Sequence, residues 1–219
     1  MTTIDYIAND IEVLKLSDSV LTVRNSFKKT IFTHIPVVEN KQLLGLISET
    51  DMQGIDTSSK NINDLRYLFE SFFVKQNANW FTILKEFATN ETNILPVLNE
   101  KKEYIGYLEL TDILHFFNNT PFLKEEGTII IVSKSKKEYS FSQVAQIVES
   151  NDAELFGAFV SKKHSDFIEI TLKTSNTNIN SIIQTFRRYD YTIELGLHED
   201  NYLSELKERS EYLQKYLNI

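Results

Sequence analysis

A chain of 219 residues, 42% hydrophobic and 25% charged, has globular composition and enough length for two modest cores. With no cysteine it can form neither disulfides nor thiolate metal sites, and a formal net charge of -8 argues against nucleic acid as a partner. No apolar run approaches the roughly 20 residues of a membrane helix, and no charged leader with an apolar stretch precedes Ile4, so a cytoplasmic protein is expected. In chain order, the first clear element is an amphipathic helix with Val20, Val23 and Phe27 on one face behind Ser17-Asp18. Ile35-Pro36-Val37-Val38 is a strand, a polar turn follows, and Gly45-Leu46-Ile47 is another strand running into a helix that starts at Ser48.

The same order returns. Pro36 and Pro96 stand 60 positions apart, as do Phe27 and Phe87; Gly45 and Gly106, and Asp51 and Asp112, stand 61 apart. The extra residue falls in the polar turn after Leu95-Pro96-Val97-Leu98, where an insertion is tolerated. Trp80, Ile83 and Phe87 repeat the amphipathic helix behind Asn77. Each copy therefore reads strand, helix, strand, strand, helix. In the first, Ser48-x-x-Asp51 fixes a hydroxyl and a carboxylate at a helix start. This is either a plain helix cap or a place where exposed N–H groups meet a phosphate and the carboxylate accepts both hydroxyls of a ribose.

A helix, then apolar-Pro-Val, a polar turn, Gly-apolar-apolar-x-x-x-Asp (with Ser48 before the two intervening residues in the first copy) and a closing helix, present twice in register over about residues 1–120, resemble the CBS domain as a tandem pair. The resemblance implies a pseudo-twofold module with two clefts that bind adenosine compounds such as AMP, ADP, ATP or S-adenosylmethionine, modules that pair into flat dimers, and a regulatory role without catalysis. Carried over by position, it puts Ser48 at the phosphate side and Asp51 at the ribose. His34, Ile35 and Pro36 fall where the chain approaches the adenine, with Lys15 in the entering strand of the same cleft. His34 also fits an ordinary core histidine. In the second repeat Asp112 keeps the ribose position, but Glu109 replaces the hydroxyl. A carboxylate there repels an anion, so the second cleft is expected to favour a ligand poor in negative charge, or none.

After Phe116-Phe117, the breaker cluster Asn118-Asn119-Thr120-Pro121 marks the expected domain boundary, with repeat 1 over about 1–58, repeat 2 over about 59–120 and a second domain over 121–219. Thr128–Val132 is a strand, and polar Ser133–Lys137 leads to a helix with Phe141, Val144, Ala145 and Val148 on one face. Leu155–Val160 and Phe167–Leu172 form a hairpin, a helix holding Ile182, Ile183 and Phe186 follows behind Asn178 or Asn180, and Thr192–Leu195 is the last strand. This βαββαβ order is the ferredoxin-like plait and, behind a CBS pair, resembles the ACT domain. Ligand-binding members of that family place a glycine in the loop after the first strand; Ser133–Lys137 has none, which points to dimerisation or partner contact. Leu203, Leu206, Leu213 and Leu217 suggest an amphipathic C-terminal helix that packs on its own domain or on a second chain.

The fold class expected is α+β: two βαββα repeats, a ferredoxin-like ACT-like domain and a C-terminal helix. The expected function is a regulatory sensor of an adenosine compound, a homodimer acting on an unidentified protein partner; the alternative is an interaction protein with degenerate, non-binding clefts. No catalytic or metal site is expected. His34, His115, His164 and His198 are scattered without metal spacing, and no Gly-x-Ser-x-Gly, Walker or His-Glu-x-x-His pattern occurs. No cofactor is expected beyond an adenosine nucleotide as ligand.

Overall fold

The computed structural model describes residues 3–55 and 61–195. The chain divides into two compact units, 1–117 and 118–219. The leucine-spaced tail after Asn201 lies outside the described residues.

In the first unit α1 (Val20–Lys29), β1 (His34–Glu39), β2 (Gln42–Ser48) and α2 (Glu49–Gln53) form one repeat. The second comprises β3 (Val74–Lys75), α3 (Trp80–Thr89), β4 (Ile94–Leu98), β5 (Tyr104–Glu109) and α4 (Leu110–Asn118). The entering strand of the first repeat is reduced to a single bridge between Leu14 and Val37, while its counterpart β3 pairs in parallel with β4. The two amphipathic helices start at Ser19 and Asn79, again 60 apart, whose side chains accept the Thr22 and Thr82 N–H groups at 3.1 and 2.9 Å. Asp18 serves a different bond: its carboxylate accepts the Lys15 N–H at 2.7 Å and closes the turn before the helix. Val20, Val23 and Phe27 bury one face of α1, and Ile83 and Phe87 bury the matching face of α3.

β1 and β2 form an antiparallel hairpin, and so do β4 and β5; both ladders slip by one residue beside the glycine, between Val37 and Val38 and between Val97 and Leu98. Asn40 and Lys41, at φ 47° and 65°, make the two-residue turn of the first hairpin; the second spans 99–103, where the extra residue sits. Gly45 and Gly106 adopt φ 151° and 142° because another segment crosses each of them. The backbone at Phe69-Glu70 lies over Gly45, and that at Ile7-Ala8 lies over Gly106.

The second unit runs α5 (Pro121–Lys124), β6 (Thr128–Ser135), α6 (Phe141–Glu149), β7 (Leu155–Lys163), β8 (Phe167–Thr174), α7 (Ile179–Arg188) and β9 (Thr192–Leu195). Its sheet order is β7-β8-β6-β9, antiparallel throughout, which is the ferredoxin-like plait. Ile130, Val132, Ile168, Ile170 and Leu172 alternate onto one face and pack against Val144, Ile147, Ile182 and Phe186 of the helices. The segment Ser133–Lys137 is only partly a loop. Ser133, Lys134 and Ser135 continue β6, because the Ser133 hydroxyl donates to Glu194 at 2.6 Å and Lys134 reaches the Tyr189 carbonyl at 2.8 Å and lies over the Tyr191 ring. No helix among the described residues is long and apolar enough to cross a membrane.

Candidate functional site

The two repeats meet through residues 60 apart. The Thr33 N–H donates to Asn93 Oδ1 at 2.8 Å, the Asn93 N–H to Thr33 Oγ1 at 3.2 Å, and Asn93 Nδ2 to the Ile31 carbonyl at 2.7 Å. Each of these loops also ties down the helix start of its own repeat. The Glu49 N–H donates to the Thr33 carbonyl at 2.9 Å and the Leu110 N–H to the Asn93 carbonyl at 3.1 Å. Ser48–Asp51 and Glu109–Asp112 are thereby drawn to one seam between the repeats.

The glycine crossings complete each side with a segment that precedes the other repeat. Leu46 and Glu70 exchange backbone bonds at 2.8 and 2.9 Å, and Ala8 and Tyr107 at 2.9 and 2.9 Å. Glu70 and Phe72 therefore lie on the Ser48 side, and the stretch around Asp10 lies on the Glu109 side.

Ser48 is 8% exposed and caps α2; its Oγ accepts the Asp51 N–H at 3.1 Å, and among the described residues its O–H proton is left to donate. Asp51 is half-buried in the first turn. His34 pairs with Ser48 across the ladder, but its side chain is only 8% exposed and both nitrogens are occupied: Nδ1 lies 2.8 Å from Thr33 Oγ1 and Nε2 3.2 Å from Glu70 Oε1, with the ring edge-on to Phe72. Its ring is thereby held in place by neighbours from both repeats' flanks. Ile35 and Pro36 are buried in β1, and Ile35 lines the cavity on the opposite, Glu109 side. Lys15 does not join this group. Leu14 bridges to Val37, three residues along β1 from His34 and so about 10 Å away, and the Lys15 side chain is exposed. Asp112 is half-buried in the first turn of α4.

On the second side a cavity of about 440 Å³ has Ile11, Phe32 and Ile35 in its wall, with Asp10, Glu12 and Glu109 contributing carboxylates and Lys29 one cation. The Tyr107 hydroxyl donates to Asp10 at 2.5 Å; burial and then this bond push the phenol well above its usual range, so it stays protonated. Glu109 accepts from the Thr111 hydroxyl at 3.2 Å. The Asp10–Glu12 stretch and the end of α1 escaped the reading of motifs. The signal that finds them is the repeat itself, since 10–12 precedes the first entering strand as 70–72 precedes β3. Among the described residues no cluster of three or more His, Cys, Asp or Glu is arranged to hold a metal.

The first unit is thus two hairpin repeats joined at the Thr33–Asn93 seam, with a cavity on its Glu109 side. Residues 4–54 and 68–119 match the CBS domain model, so the first unit is a tandem CBS domain pair. Such pairs are generally regulatory modules that sense adenosine ligands, and no catalytic family is indicated.

Among curated proteins the chain is similar to the CBS domain-containing protein MJ0729 of Methanocaldococcus jannaschii, 28% identical over 88 residues, covering 39% of this chain and 70% of that protein. The uncharacterized protein MJ0188 of the same organism is 24% identical over 110 residues, covering 50% of this chain and 42% of that protein's length. Similar solved structures include a CBS domain pair/ACT domain protein of Thermotoga maritima, with a TM-score of 0.48, 19% identity and coverage of 53% of this chain and 96% of that one. CBSX2 in complex with AMP gives a TM-score of 0.46, 21% identity and coverage of 53% and 95%.

Proposed function

We propose that this protein is a regulatory sensor whose CBS pair binds a phosphorylated adenosine compound at Ser48 and Asp51 and signals its presence to a protein partner. One observation carries this reading: a hydroxyl that donates to no described residue and a half-buried carboxylate stand where the Thr33–Asn93 bonds join the repeats. A ligand there touches both repeats, so its binding energy can change how they sit together. A ligand that binds only the folded chain stabilises it by about 2.7 kcal/mol at a concentration 100 times Kd. Thermal unfolding of the full chain should therefore move upward with AMP concentration. An unchanged midpoint with AMP, ADP and ATP at millimolar concentration argues for the alternative of an interaction protein with degenerate clefts. Glu109 favours that alternative on one side only; the Ser48 side keeps its donor.

The second unit, read as ACT-like, serves dimerisation or partner contact in this proposal. Its Lys134 is engaged with the Tyr189 carbonyl and the Tyr191 ring, and the stretch after β6 has no glycine to let backbone close on a carboxylate. The full chain is expected to bind no free amino acid at micromolar affinity in a calorimetric screen of the standard set. A homodimer is also part of the proposal. Leu21 and Phe81, matching positions of α1 and α3, are both largely exposed, as is Leu114 of α4. Light scattering should give twice the chain mass at micromolar concentration; a monomer mass removes this part of the reading.

A further inference from the structure

A second cavity, of about 320 Å³, lies away from the seam, between the turn that follows β3 and the β4–β5 turn. Leu98 in its floor is five residues along β4 from Asn93, about 16 Å from the seam bonds. Comparison of the repeats shows what opens it. Gln76 stands where the first repeat has Leu16, a half-buried side chain packed on that repeat's core, and the 99–103 turn is longer than Asn40-Lys41. Both walls are fixed by hydrogen bonds. Asn99 Oδ1 accepts the Lys101 and Glu103 N–H groups, each at 2.9 Å, and Asn99 Nδ2 donates to Glu103 Oε2 at 2.9 Å. Opposite, the Gln76 N–H donates to the Leu98 carbonyl and the Ala78 N–H to the Lys75 carbonyl, both at 2.9 Å.

The lining divides by chemistry. Phe73, 44% exposed, and buried Leu98 give an apolar face, while the side chains of Lys75, Gln76, Asn77 and Lys102 make no hydrogen bond or ion pair among the described residues. The nearby Lys41 and Lys101 are directed elsewhere: with the Asn99 bond as the main cause, they hold the Glu103 carboxyl below the usual carboxylate range. Lys75 and Lys102 against Glu100 leave one excess positive charge around the cavity, in a chain whose net charge is -8. We propose that this cavity binds an aromatic carboxylate, its ring on Phe73 and Leu98 and its charge toward Lys75 and Lys102. A single excess charge matches a carboxylate better than a phosphate dianion and opposes a cation. The Gln76 and Asn77 carboxamides add N–H donors, which bond most strongly to a charged acceptor, and the exposed Phe73 ring offers a surface for offset stacking. The volume is that of a small-molecule site.

Three probes of nearly constant shape test it by amide chemical-shift titration of the full chain: phenylacetate, 2-phenylethanol and 2-phenylethylamine, which are an anion, a neutral molecule and a cation at neutral pH. Phenylacetate should move the amide signals of residues 75–77 and 98–102 saturably and bind there at least about tenfold tighter than the amine. The double variant Lys75→Gln, Lys102→Gln should weaken phenylacetate about tenfold while changing 2-phenylethanol by less than about twofold. Glu100→Gln, which removes the opposing charge, should instead strengthen phenylacetate about threefold. All three positions are exposed, so these substitutions spare the core. Saturating AMP should leave phenylacetate binding unchanged, which separates this site from the one at Ser48 and Asp51. Equal binding of anion and amine, displacement by AMP, shifts confined to residues beside Ser48 or Glu109, or no shift with millimolar phenylacetate would each overturn the inference and leave the proposed function standing.

Discussion

Asp51→Ala is expected to weaken AMP binding by about a hundredfold or more, while Asp112→Ala leaves most of it. The first half follows from hydrogen bonding. A carboxylate that accepts from two ribose hydroxyls makes bonds to a charged group, each worth about 1.5–3 kcal/mol, and alanine removes both. Half-burial of Asp51 in the first turn of α2 limits the ability of water to replace it. The second half follows from the companion residue. In the proposed site Ser48 would offer a proton to a phosphate, whereas Glu109, at the matching position of the second repeat, would offer a carboxylate. Two unit charges about 4 Å apart repel by about 1 kcal/mol in water and about 4 kcal/mol at the dielectric of a protein surface. Rotation of Glu109 toward solvent relieves part of this, so a tenfold to hundredfold preference for the Ser48 side is expected. Glu109→Thr should then strengthen AMP binding at the second side. Loss of AMP binding in Asp112→Ala, with Asp51→Ala unaffected, would reverse the assignment and return Ser48-x-x-Asp51 to a helix cap.

Gly106→Ala is expected to destabilise the first unit by about 3 kcal/mol, lowering Tm by on the order of 10 °C. A Cβ at this position would stand 2.3 Å from the Ala8 carbonyl oxygen and 2.7 Å from Ile7 Cγ2, at a φ of 142° that side chains avoid. Relief requires moving the 7–8 segment, which breaks the two bonds between Ala8 and Tyr107 and disturbs the Asp10 side of the cavity. Gly54→Ala is the control: its added Cβ meets no atom of the described residues within 4 Å and its φ of -87° suits any residue, so its melting curve should overlay that of the parent. Equal destabilisation by both substitutions would mean that the crossing segment is not what requires glycine at 106.

The repeat made the first unit legible in sequence, because burial at a fixed spacing recurs with the same residues: Val20, Val23 and Phe27 in α1, Ile83 and Phe87 in α3, and the proline strands with their glycine partners. What stayed hidden were the crossings. The Ala8–Tyr107 and Leu46–Glu70 pairs are single bridges and leave no alternation to read, although the glycines beneath them were visible as fixed points of the repeat. This is also why Lys15 looked like a cleft residue. The entering segment does line a cleft, but three to five residues earlier, at Asp10–Glu12, because its strand runs parallel to β1 and its early end is the one beside His34 and Ile35. In the second unit the βαββαβ order leads to the observed sheet, since a helix crossover between parallel strands leaves a slot that the third strand fills. The extension of β6 through Ser133–Ser135 was masked by its polarity; the Ser133 and Lys134 side chains are satisfied by Glu194 and Tyr189 from elements distant in sequence.

The most direct measurement is a calorimetric titration of the full chain with AMP, read for stoichiometry as well as affinity. The account predicts saturable binding of one AMP per chain, abolished by Asp51→Ala. Two equivalent sites per chain, or heats no greater than dilution up to millimolar AMP, would contradict it.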